Sequence, residues 1–117
     1  MLSMKRFFAK TFKIAEENGL DRNKIIIDPG IGFGKGYKEN IIVLNRLDEI
    51  SFIAPILLGV SKKGFIGKDL NLSPDERVEG TIAVNTLGIT KGAKIIRVHN
   101  VLEHHKALSI LDKIIYP

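Results

Sequence analysis

An α/β protein with three parallel strands alternating with four helices is the fold class this sequence predicts, and three observations predict it. Three short, mostly apolar runs, Ile25–Ile27, Ile56–Val60 and Ile95–His99, are rich in β-branched residues and bounded by proline, glycine or polar residues. Stretches with apolar residues at helical spacing separate them. The runs are spaced as successive βα units, which gives the order α-β-α-β-α-β-α.

Residues 4–17 carry Met4, Phe7, Phe8, Thr11, Phe12 and Ala15 at helical spacing, and Asn18-Gly19 supplies the stop. A polar linker, Asp21 to Lys24, leads into Ile25-Ile26-Ile27, which reads as a strand buried on both faces. Residues 38–49 form the second helix, with Ile41, Leu44 and Leu47 on its apolar side. Pro55 opens the second strand, which runs into the polar, glycine-bearing turn Ser61 to Gly67. Ser73-Pro74-Asp75-Glu76 is a capping-box start for a helix carrying Val78, Ile82, Asn85 and Ile89 and ending at Lys91-Gly92. The third strand follows. Asn100 then caps a last helix with Leu108, Leu111 and Ile115 on its apolar side.

The 117 residues make one unit, without low-complexity segments or an interdomain linker. Hydrophobic content of 44% with 26% charged residues fits a folded soluble chain rather than a disordered one. No apolar run reaches the roughly 20 residues of a membrane span, and the start lacks a secretory pattern. The absence of cysteine excludes disulfides and thiolate metal sites, and a cytoplasmic location is expected. The net charge of +5 is spread over scattered lysines with acidic residues between them, which argues against a nucleic-acid face and suits a pocket for small anions.

The chain is organised around Ile27-Asp28-Pro29-Gly30-Ile31-Gly32-Phe33-Gly34-Lys35. Its glycines match neither the dinucleotide-binding pattern nor the phosphate-binding loop of nucleotide triphosphatases. Asp28 falls at the carboxyl end of the first strand, beside a loop that Pro29 and Gly30 force to turn. Right-handed crossovers bring the other two strand ends to the same edge. Those ends carry Ser61-Lys62-Lys63, and Arg97 with His99 on one strand face. Arg97 reads as a buried guanidinium that needs an anionic partner, either Asp28 or a ligand. His104 and His105 read as exposed helix positions. One carboxylate facing several cations suits a ligand with an amidine-like edge and an anionic group.

Four stretches in order, the loop just quoted, Leu58 to Gly67, Arg77-Val78-Glu79-Gly80-Thr81, and Ile95-Ile96-Arg97-Val98-His99, resemble dihydropteroate synthase over nearly the whole chain. The family fold is an eight-stranded TIM barrel. The resemblance covers its carboxyl-terminal part, namely the closing helix of unit five and then units six to eight. The expected fold is thus a partial barrel spanning residues 1–117, with Met1 readable as a true start, an internal methionine of a longer frame or a cloned boundary, and Met4 equally as an internal methionine.

The resemblance implies condensation of 6-hydroxymethyl-7,8-dihydropterin diphosphate with 4-aminobenzoate, giving dihydropteroate and diphosphate for folate synthesis. It places Asp28 and Lys63 on the pterin, and Arg97 and His99 on the departing diphosphate. Phe33, Gly59, Ser61 and Lys62 fall on the aminobenzoate side, where sulfonamides also bind. Magnesium would come with the diphosphate and be held by the absent amino-terminal part, with no metal ligand and no certain catalytic base in this chain. A homodimer through the last two helices is the family's assembly.

Three positions depart from the family pattern: Lys62 and Gly64, where Ser61-Lys62-Lys63-Gly64 stands for Ser-Arg-Lys-Ser, and Asn100, which stands for a frequent aspartate. Lysine at 62 lacks the planar guanidinium and its stacking face. Three parallel strands cannot close a barrel, so the inward face and the sheet edges are expected to lie open. The isolated chain is then expected to be inactive, and to self-associate or to meet a complementary half. The alternatives are a pterin-binding domain of a corrinoid-type methyltransferase, which needs no diphosphate clamp, and a non-catalytic remnant or interaction module.

Overall fold

The computed structural model describes residues 1–117. Helix α1 (Leu2–Glu17) buries Phe8 and Phe12, one turn apart, and leaves Phe7 exposed. It ends where Gly19 takes a φ of +79°. The Gly19 N–H then donates to Glu16 O and the Leu20 N–H to Ala15 O, which satisfies two terminal carbonyls. A 3-10 turn (Arg22–Lys24) follows, with the Asp21 carboxylate accepting from Asn23 N–H at 2.9 Å.

The run Ile25–Ile27 forms a single parallel bridge, Ile27 to Ile56, rather than the predicted strand. The Ile27 N–H donates to Pro55 O at 3.0 Å and the Leu57 N–H to Ile27 O at 2.8 Å. The next bond back along a parallel ladder would need an N–H from Pro55, which has none. Strands β1 (Ile56–Leu58) and β2 (Ala93–Ile96) pair in parallel, so the order across the sheet is Ile27, β1, β2. The third strand thus lies earlier than the predicted 95–99. Beyond Ile96 the ladder adds only the bond from Arg97 N–H to Leu58 O at 3.0 Å, because β1 ends there.

One face of this sheet is covered and the other is open. Ile27, Ile56, Leu58, Val60 and Ala93 join Phe8, Phe12, Ile31, Val43, Leu44, Leu47 and Ile50 in one core. On the other face Ile26 is 51% and Ile95 38% exposed. Burial on both faces is therefore incorrect for these strands, since the helices form one layer only. The open inward face expected of a partial barrel is what the structure has.

Helix α2 (Tyr37–Asn45) is shorter than predicted and gives way to a 3-10 turn (Leu47–Glu49). Its buried side is Asn40, Val43 and Leu44, while Ile41 faces outward. Within the turn after β1 lies a short helix, α3 (Gly64–Gly67), that the glycines had masked. The Ser73 N–H and Oγ both donate to the Glu76 carboxylate, at 3.0 and 2.9 Å. They open a 3-10 turn, Pro74–Glu76, and the α-helix proper, α4 (Val78–Thr90), starts after Arg77.

The buried stripe of α4 is Thr81, Asn85 and Gly88, not the larger residues flanking it. A Cβ at Gly88 would sit 2.5 Å from Leu58 Cδ2, so the missing side chain sets how closely α4 lies on β1. Helix α5 (Val101–Ile115) begins at the expected residue. Asn100 makes no side-chain cap bond there; its carbonyl instead accepts from the His104 N–H and from His104 Nδ1. His104 is buried, contrary to the exposed position expected of it, whereas His105 is exposed. The helix turns His104 towards α4, where Asn85 meets it.

Candidate functional site

The carboxyl ends of Ile27, β1 and β2 carry Asp28, Ser61 with Lys63, and Arg97 with His99 along one edge. Asp28 is exposed and its Oδ1 accepts from the Gly30 N–H at 2.8 Å, closing a turn on Pro29. Its other oxygen is left for a ligand. Gly30, Gly32 and Gly34 all have φ between 65° and 83°, a region that costs side-chain-bearing residues energy. The loop is pinned to α2 by the Gly32 N–H donating to Oδ1 of buried Asn40 at 2.9 Å, and its Ile31 side chain is sunk in the core.

Lys63 joins the first two strand ends. Its Nζ donates to Ile31 O and lies 4.4 Å from the centre of the Phe33 ring. Burial first, and then the charge of Arg97, hold its ammonium below the usual lysine range; Asp28 pulls the other way, and Lys35 pushes with Arg97. Asp28, Lys35, Lys63 and Arg97 thus share one electrostatic neighbourhood. Two bonding directions of Lys63 are taken by the carbonyl and the ring, and the third is left over.

The third strand end is built around Gly59 and Ser61. The Arg97 guanidinium lies across Gly59, where any Cβ would collide with it. Arg97 is exposed and makes no ion pair, with Asp28 or any other carboxylate. The expected buried guanidinium is corrected here: the open sheet face leaves it in solvent and free for an anion. The His99 N–H donates to Ser61 Oγ at 3.2 Å, and Ser61 Oγ lies 2.7 Å from His99 Nδ1. Ser61 Oγ is thus bonded both to the backbone and to the ring of His99, which fixes the ring and leaves Nε2 as its outward nitrogen. Gly59, Ser61, Lys63, Arg97 and His99 line a cleft of 170 Å³.

Lys62 stands apart from this group. It takes a φ of +57°, held by its N–H to Thr81 Oγ1 at 3.1 Å and its carbonyl to Arg77 Nη1 at 2.8 Å. Its ammonium lies 3.8 Å from Asp75. A separate groove of about 590 Å³ runs beside the glycine loop, with Phe33, Lys35, Lys63, Lys68 and Arg77 among its walls. Lys68 lies over the Tyr37 ring at 4.4 Å, and Tyr37 donates to Asp69 at 2.9 Å, which links α2 to the segment after α3 beside the groove.

Arg77 was part of a recognised stretch but carried no assigned role. Its guanidinium donates to Leu72 O through Nε and Nη2 and to Lys62 O through Nη1, and so winds the 62–77 segment around itself. Its membership of the stretch Arg77 to Thr81 was the signal in the sequence. Asn40 was hidden likewise, because it follows Lys38 and Glu39 and reads as part of the polar first turn of the helix. No group of three or more His, Asp or Glu side chains converges as a metal cluster would.

A family model described as pterin binding enzyme matches residues 1–99. Curated relatives include dihydropteroate synthase of Bacillus subtilis, 47% identical over 104 residues, covering 88% of this chain and 36% of that protein. The Escherichia coli K12 enzyme of the same name is 39% identical over 108 residues, covering 92% and 38% respectively. Among solved structures, a Clostridium difficile dihydropteroate synthase determined in the presence of pteroic acid is 47% identical with a TM-score of 0.94, over 97% of this chain and 44% of that one. The Yersinia pestis enzyme is 36% identical with a TM-score of 0.95, over 100% and 56%. The chain therefore spans well under half the length of these curated relatives, yet nearly all of it superposes on the solved enzymes. No helix is long and apolar enough to cross a membrane.

Proposed function

Because the chain belongs to the family of pterin-binding enzymes, we propose that it is the carboxyl-terminal part of a dihydropteroate synthase, with α1 closing barrel unit five and the three strands opening units six to eight. The observation that supports this best is the single edge that carries a carboxylate, Asp28, two cations, Lys63 and Arg97, and a further side chain able to donate, His99. The substrate has the matching halves: an amino-pyrimidine edge that donates two hydrogens, and a diphosphate.

On this reading Asp28 takes the amino-pyrimidine edge, with the oxygen not held by Gly30 as its main acceptor. The remaining direction of Lys63 goes to the pterin carbonyl. Arg97 and Nε2 of His99 take the diphosphate. As the carbon–oxygen bond to diphosphate breaks, charge gathers on the leaving oxygen, and donors already in place stabilise it without reorganising. The amine of 4-aminobenzoate attacks the methylene and loses a proton. Phe33, Gly59 and Ser61 border its place, and Lys62 reaches it only on leaving Asp75.

Magnesium fits the diphosphate rather than this chain. The cleft at the anion end is lined by Ser61, Lys63, Arg97 and His99 and by no carboxylate, so no magnesium ligand is supplied there. The reaction runs in the cytoplasm in this reading, and the last two helices are its dimer face. The open face bearing Ile26 and Ile95 favours a second outcome for the chain by itself: it binds ligand fragments without turnover.

The test is calorimetric titration of the chain with a pterin carrying the hydroxymethyl diphosphate, alongside a turnover assay with 4-aminobenzoate. Binding that Asp28→Asn weakens at least ten-fold, without measurable turnover, is the expected result. Equal binding by wild type and Asp28→Asn would overturn the assignment of the pterin edge.

A further inference from the structure

We propose that His104, backed by Asn85, is a positioning residue for the Arg97–His99 strand end: its ring holds the Asn100 carbonyl and so fixes the turn that carries both anion-binding side chains. The role rests on the reading of Arg97 and His99 given above.

The turn from β2 into α5 is tied by side chains from two directions. On one side Ser61 binds the N–H and ring of His99. On the other, the Asn100 carbonyl accepts from His104 Nδ1 at 2.7 Å as well as from the His104 N–H at 3.2 Å. The Asn100 side chain contributes no cap bond, so the tie between this residue and the first turn of α5 is made through its carbonyl, by His104. Only two residues, Val98 and His99, separate Asn100 from Arg97 along the chain.

The chemistry assigns the protons. A carbonyl only accepts, so His104 Nδ1 carries hydrogen and Nε2 of the neutral ring carries a lone pair. That lone pair meets Nδ2 of Asn85 at 3.0 Å, which donates to it.

Packing alone does not account for the pair. His104 is 3% and Asn85 0% exposed, and Asn85 Oδ1 is buried with no partner. An apolar pair of similar volume would fill the space without that orphan acceptor, which is costly when buried. What an apolar pair lacks is a directed bond to the Asn100 carbonyl. Orientation of the turn is thus the distinct contribution of His104, and the amide behind it selects the tautomer that makes the bond.

The test uses the full chain and inorganic pyrophosphate. Long-range nitrogen–proton spectra of wild type should show His104 with hydrogen on Nδ1; hydrogen on Nε2 would overturn the proposal whether or not any variant folds. In His104→Leu, amide exchange at His99 should quicken about five-fold or more while exchange at Leu58 in the core stays as in wild type. Unchanged exchange at His99 would also overturn it. Calorimetry should show pyrophosphate bound about five-fold more weakly by His104→Leu. Arg97→Ala is the control for the site itself: if it binds pyrophosphate as wild type does, the diphosphate reading fails, while the two spectroscopic results still decide the positioning role.

Discussion

Arg97 lies across the backbone of Gly59, on the neighbouring strand end, in space that a single methyl group would fill. The glycine is needed for absence of bulk rather than for an unusual φ. Gly59→Ala is therefore expected to push the guanidinium off the strand end while costing little stability, because the atom it meets is the far end of a flexible side chain. Pyrophosphate affinity of the variant should fall about ten-fold, approaching that of Arg97→Ala. Equal affinity of Gly59→Ala and wild type in calorimetry would show that the resting place of Arg97 is irrelevant to anion binding.

Lys63 gives the site a pH dependence whose sign follows from its surroundings. Burial and the charge of Arg97 lower its pKa in the folded chain, so over the interval between that lowered value and the usual lysine range the unfolded chain binds more protons than the folded one. Stability relative to Lys63→Met should then rise with pH across that interval, below the point where other lysines titrate. Anion affinity should move the other way and fall as the ammonium deprotonates. Urea unfolding of both chains at a series of alkaline pH values checks the first trend, and pyrophosphate titration the second.

The elements that could be read from the sequence were those with local causes. Helix α5 was placed to the residue, since a turn and an apolar stripe define it, and the glycine loop was found from Pro29 and its alternating glycines. What the sequence could not show was set by partners far along the chain. Ile25-Ile26-Ile27 has the composition of a strand, yet Pro55, its neighbour across the sheet, has no N–H to extend the ladder. Arg97 looked buried because its strand looked buried, and only the number of covering layers corrects that. His104 and His105 are indistinguishable by type, and the packing of α5 against Asn85 separates them. Asp28, Ser61, Lys63, Arg97 and His99 do meet at one edge, as parallel connections require, but Lys62 turns away because its peptide is held by Thr81 and Arg77.

Arg77 is expected to be the main brace of the segment between Lys62 and Leu72. Its planar fork serves two carbonyls at once, and its Nε comes within 2.6 Å of where a Cβ on Gly67 would sit. Lysine cannot reproduce three directed bonds from one plane. Both Arg77→Ala and Arg77→Lys should lower stability by about 2 kcal/mol, the alanine variant somewhat more. Chemical denaturation gives the loss directly. A lysine variant as stable as wild type would show that charge alone, and not the fork, holds the segment.

The Lys62–Asp75 pair makes a last prediction, because it competes with the role proposed for Lys62. Asp75 is almost fully exposed and its carboxylate stands 3.8 Å from the ammonium, so the pair is weak and screened by salt. The backbone of Lys62, by contrast, is held by Thr81 and Arg77, independently of Asp75. Asp75→Asn should therefore release the ammonium without moving the turn, and 4-aminobenzoate should bind about two-fold more tightly at low salt, with the gain vanishing as salt rises. Lys62→Ala should remove the gain. If Asp75→Asn leaves affinity unchanged at low salt, Lys62 takes no part in holding the aminobenzoate carboxylate, and the cations of the neighbouring groove, Lys35 and Lys68, become the residues to substitute next.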